Sequence, residues 1–300
     1  MDPGLSLTSM NYPPPPPPPE PSGPPPVPAR KSYTGLIVAC SLIGLVMIVG
    51  IVTGVTVFVK QQVVKREEIA KIEKSAAEER VKMADSIRDG NLADGNASLG
   101  RIKDQLGQSA THLSGADAAA TRAMANYLGK IQANLQNYST EMDKLMQAKV
   151  LSFDISDRAT IEQHRQIIRD FLAANAKLID ILQHGEDLLR AELEAEKVPP
   201  FNRDQTLQGY QKSQAELRPL QMRVRQCDQT LGESALAVLD LLDKNWGKWE
   251  RNEASGRLRF QDDATLSSFN DLVKKIQAAA ADQEKAQREM IAKVKPTGGH

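Results

Sequence analysis

Cysteine is nearly absent from this 300-residue chain, with two residues in all, and aromatic side chains make up 4% of it. Cys40 lies in an apolar run, so Cys227 stands alone in the polar part of the chain and has no disulfide partner there. It reads as a small buried apolar residue. Charge of one sign is missing too, since 38 basic residues face 38 acidic ones. With no net field and few rings for bases to stack on, nucleic-acid binding is excluded. The sequence also lacks a Gly-rich phosphate loop, a GxSxG elbow, a CxxC pair and HExxH. None of the four histidines, His112, His164, His184 and His300, follows a glutamate by three residues, the pairing used in di-iron bundles. No metal, cofactor or catalytic residue is assigned, and the expectation is a protein that is not an enzyme.

What is present is strongly segregated. Thirteen of the 17 prolines fall in the first 28 residues, including the run Pro13 to Pro19. Residues 1–32 therefore read as a disordered proline-rich tail favouring polyproline II. Within it Pro25-Pro26-Val27-Pro28-Ala29-Arg30 fits the PxxPx+ pattern of proline-groove ligands. Residues 33–59 follow as a single transmembrane helix, because Thr34 to Val59 carries no charge over 26 residues, enough for a core of about 30 Å. A cleaved signal is expected to start nearer the chain's beginning and to end at a small-residue site. Ile37-Val38-Ala39-Cys40 has lipobox spacing, but its apolar region lies on the wrong side of the cysteine. Gly50 and Gly54 form a GxxxG face on which a second span can pack.

Residues 60–96 are expected to be a juxtamembrane helix and hinge, the hinge being DGNLADGNAS at 89–98. That stretch has the look of a calcium loop, but Ala93 and Asp94 occupy positions that a ligand and the obligatory glycine need. Residues 97–294 read as an all-α, elongated antiparallel bundle or coiled coil of four helices. The first spans 97–149 through Leu99, Ile102, Leu106, Leu113, Tyr127, Ile131, Tyr138 and Leu145. The second spans 158–197, capped by Asp157, with His164 as a core or edge residue and Asn175 fixing register. The third spans 203–249, with Pro219 expected to kink or restart it. The fourth runs over 264–294 behind a cap at Asp262 or Asp263. Residues 295–300 are a disordered end. The intervening breaks are short, which favours up-down-up-down neighbours.

Trp246 and Trp249, the only tryptophans, are expected with Phe260 and Phe269 at one apolar end, as packing or as a partner or pocket site. Asn96 and Asn137 lie in glycosylation sequons, a pattern that arises often by chance. Orientation is contested. Lys60, Lys65, Arg66, Lys71 and Lys74 after the span outnumber Arg30 and Lys31 before it, and by the positive-inside rule they place the bundle in the cytoplasm. The layout of short tail, one span and helical domain argues by analogy for a bacterial envelope, with the tail inside and the bundle outside. The latter is the expectation taken.

Two functions fit. One is a membrane tether or scaffold, partnered by the lipid bilayer and by itself or another envelope protein. The other is a single-span sensor whose bundle binds a small ligand and signals through a recruited partner. In that second case the layout resembles the ligand-binding bundles of chemoreceptors, in architecture alone.

Overall fold

The structure, a computed structural model, describes residues 78–79, 82, 92–252 and 257–294. The proline-rich tail, the expected span with Cys40, Gly50 and Gly54, most of the expected juxtamembrane helix and the end at 295–300 expected to be disordered all lie outside these residues. Among the described residues no helix is long and apolar enough to cross a membrane. They form six helices and one small hairpin: α1 (Leu92–His112), α2 (Gly115–Gln147), α3 (Arg158–Ala195), α4 (Pro200–Gln214), α5 (Arg218–Lys244), β1 (Trp249–Asn252), β2 (Arg257–Phe260) and α6 (Asp263–Val294). The domain is a helical bundle.

Contacts between side chains give the direction of each helix. Arg122 and Lys130 of α2 reach Glu196 and Glu192 at the far end of α3, whereas Tyr138 meets Phe171 near its start. These two helices are therefore antiparallel. The same logic holds for α3 against α5, where Arg165 pairs with Asp240 and Asp243 while Gln183 accepts from Arg218. It also holds for α1 on α2, where Asn96 reaches Gln136 and Lys103 lies beside Gly129. At the level of Tyr127, α2 and α3 are joined by α1 and α4. At the level of Tyr138, α5 and α6 take those places.

Helix ends follow local chemistry. Asp157 caps α3, its Oδ1 accepting from the Thr160 N–H at 2.7 Å, and Asp262 caps α6 through the Thr265 N–H at 2.7 Å. At the other end of α3, Lys197 takes a left-handed φ of 56°, Val198 N–H bonds the Leu193 carbonyl and Lys197 N–H bonds that of Glu194. This is a Schellman motif without the usual glycine.

Three boundaries differ from the sequence expectation. The first helix is two, because the chain reverses at Leu113–Ser114 and enters α2 through Gly115 at φ 59°. The hinge expected at 89–98 is helical from Leu92 onward, since α1 buries Ser98, Leu99, Ile102 and Leu106. That burial outweighs the roughly 1 kcal/mol penalty of a helical glycine. The third helix restarts at Pro219 as expected: α4 ends at Gln214 and α5 begins with Pro219 in its first turn, where a missing N–H costs nothing. It stops at Lys244 rather than 249. Gly247 turns the chain at φ 79°, and Trp249 then opens the hairpin, in which Trp249 faces Phe260 and Asn252 faces Arg257.

Glu79 touches the bundle: it accepts from Arg101 Nε of α1 at 2.9 Å and from Lys82 at 2.8 Å. Burial pushes this carboxyl up, but the hydrogen bonds from Arg101, Lys82 and Ser98 outweigh it and hold the carboxyl at about 2. A folded pKa below the unfolded value means the contribution is present above about pH 4.5 and disappears as pH falls towards 2. The melting temperature of Glu79→Gln should therefore lie below that of the parent at pH 6 and converge with it near pH 2. A gap of constant size across that range would show that Glu79 is not held as described.

Candidate functional site

At the hairpin end the two tryptophans meet edge to face, with ring centroids 5.4 Å apart. Trp249 Nε1–H donates to the Leu242 carbonyl at 2.8 Å, and the Arg158 guanidinium stands 5.8 Å from the Trp246 ring. Phe269 packs against both Phe260 and Phe153 at 5.1 and 6.1 Å. The four aromatic residues read from the sequence are thus at one end of the bundle, with Phe153 as an unforeseen fifth. Both tryptophans are half-buried.

Openings lie elsewhere. A groove of about 540 Å³ runs between α2 and α3, floored by Tyr127, Ile131 and Ile181 and edged by Lys130, Lys177 and Asp180. A smaller hollow of about 340 Å³ lies where α4 gives way to α5, between Glu186, Tyr210 and Arg218. Between the two, α3 is kinked at His184, whose φ of −112° and ψ of 16° leave the helical range. Next to it, a side chain at Gly185 would meet both the Tyr127 and the Tyr210 hydroxyls, which bond each other at 3.0 Å. Burial pushes both phenols above their ordinary range.

The densest polar cluster has no opening to solvent. Arg225 and Asp228, both at 0% exposure, form an ion pair at 2.7 Å on one face of α5. Asp228 Oδ2 accepts from the Tyr138 hydroxyl of α2 at 3.1 Å, and its Oδ1 from Gln283 Nε2 of α6 at 2.6 Å. The Arg225 guanidinium lies 4.4 Å from the Tyr138 ring centre, where the ring's negative face meets the cation. Asn175 of α3 donates to the Arg225 backbone carbonyl at 3.0 Å. Four helices thus converge on one ion pair. Gln221, one turn before Arg225, is equally buried, and neither end of its amide has a partner.

Of this cluster the sequence reading named Asn175, as a register residue, and Tyr138, as part of an apolar stripe. Arg225 and Asp228 were missed, although their spacing of three within an apolar stripe was a visible signal. His164 is buried at 5% exposure with Nδ1 unpartnered, and burial lowers its pKa against the opposing charge of Asp154. Cys227 is buried beside Asp282, its thiol pushed up to about 12 by burial and by that carboxylate. A thiol held so far from its thiolate is a poor nucleophile. Among the described residues, no three His, Cys, Asp or Glu side chains are grouped as metal ligands.

No family model matches the chain, and neither curated proteins nor solved structures show a significant match to it.

Proposed function

We propose that this chain is a single-pass membrane protein whose elongated antiparallel bundle works without catalysis, as a tether or scaffold for a protein partner or a second copy. The uncharged run of 26 residues from Thr34 to Val59, followed by a bundle of long antiparallel helices, carries the reading. In the bundle the most deeply buried charges, Arg225 and Asp228, are engaged with Tyr138 and with each other. They serve helix placement and not a reactant. The Gly50/Gly54 face would pair two spans, the tail before the span would remain disordered, and the Trp246/Trp249 end offers a second contact surface. We place the protein in a bacterial envelope with the bundle outside.

A carbonate wash of membranes should leave the full-length protein in the pellet with its N-terminal residues intact. Release of the whole chain, or a soluble product beginning near Cys40 or Val59, would remove the anchor. One observation favours the sensor as a second reading: the groove beside the His184 kink has a volume ordinary for small-ligand sites, and apolar floor residues. Ligand occupancy there would bear on the Gly185 contact.

A further inference from the structure

We propose, on the single-pass reading above, that the turn between α3 and α4 is the membrane-facing end of the bundle and sets Phe201 into the lipid surface beside the span. Among the described residues two large apolar side chains are exposed, Phe201 at 69% and Leu266 at 38%. Phe201 follows Pro199 and Pro200, both exposed, where the chain leaves α3 and enters α4. Glu196, just before this turn, bonds Arg122 near the start of α2, and Tyr210, further along α4, bonds Tyr127. The α3–α4 turn and the reversal at Leu113–Ser114 are therefore at one end of the bundle. Leu266 stands in the first turn of α6, at the opposite, hairpin end.

Chain length favours one end for the bilayer. Glu79 is held on α1 by Arg101, and from Arg101 to the end of α1 at His112 the helix rises about 16 Å. The far end is much more distant. Arg101 lies level with Ile131 of α2, since Asn96 meets Gln136 and Lys103 lies beside Gly129. Tyr138 is about 10 Å beyond that level, and it shares Asp228 with Gln283 of α6. From Gln283 back to the start of α6 at Asp263 is about 30 Å more, so the hairpin end stands about 40 Å from Glu79. The stretch joining Val59 to Glu79 reads from its sequence as helix and spans about 30 Å, enough to pass the near end and short of the far one. Charge at the near end is compatible with a lipid surface. Arg203 and Arg122 engage Glu194 and Glu196, Asp204 stands one turn deeper on α4, and Lys197 is exposed beside the turn. An exposed ring next to an exposed ammonium suits the headgroup boundary.

The test uses the full-length protein carrying Cys40→Ser and Cys227→Ala, reconstituted in vesicles of phosphatidylcholine and phosphatidylglycerol. A nitroxide is attached at Phe201→Cys or, as the mirror control, at Leu266→Cys. Flotation first shows whether the vesicles hold the protein. Collision of the label with oxygen, which concentrates in lipid, is then compared with its collision with a water-soluble nickel chelate. That ratio should be about fivefold higher at 201 than at 266. A water-like ratio at 201 in protein that floats would overturn the docking and leave the anchor standing, whereas protein that does not float would overturn both. An equally high ratio at 266 would overturn the choice of end. Spin–spin broadening at 201 in place of the lipid signal, lost on dilution with unlabelled protein, would make the occupant a second copy and overturn the lipid contact.

Discussion

Asp228→Ala should cost roughly 3–5 kcal/mol, because it strands the Arg225 guanidinium at full burial with its counter-ion gone. The Tyr138 hydroxyl and the Gln283 amide lose their acceptor in the same step. Against a total stability of about 5–15 kcal/mol for a folded domain, that is a large fraction. The midpoint of chemical unfolding of the soluble part should fall accordingly. The double replacement Arg225→Met with Asp228→Leu removes both charges together, so it should recover most of the loss or exceed the parent. If the single variant were as mild as the double one, the account of the pair as a desolvated, mutually compensating unit would fail.

Leu182→Asp should be damaging on a similar scale, again roughly 3–5 kcal/mol, for the opposite reason. Here a charge is introduced where no partner exists. Leu182 is 3% exposed within the apolar core of α3, one position before the exposed Gln183. Gln183→Asp is therefore the matched control. It adds the same side chain to the same helix on the solvent side and should cost no more than about 1 kcal/mol. Comparable melting of the two variants would contradict the assignment of the buried face.

What could be read from the sequence was whatever is written locally. The caps at Asp157 and Asp262 are single residues acting on the next turn, and Pro219 restarts a helix through its own ring. The all-α class follows from apolar spacing alone. The reversal at Leu113–Ser114 was hidden because Leu113 stands seven residues after Leu106 and so continues the stripe across a turn. Glycines and asparagines between 89 and 98 signal a hinge in isolation, and only docking of α1 on α2 overrules them. The hairpin has four-residue strands, too short for a two-residue period to emerge. Arg225 and Asp228 look misplaced in a stripe until their partners are known. Those partners lie far along the chain, Tyr138 being 90 residues from Asp228 and Gln283 being 55.

The change of companions along the bundle bears on how the molecule comes apart. α1 and α4 attend one half, α5 and α6 the other, while α2 and α3 pass through both. Cooperativity between the halves is therefore carried by two rods, one of them kinked at His184. Opening of the α5–α6 half can proceed while the Tyr127–Tyr210 half stays closed, so slow amide exchange should divide into two groups, with α2 and α3 belonging to both. A bundle of six helices would behave as two overlapping foldons spliced along a common pair.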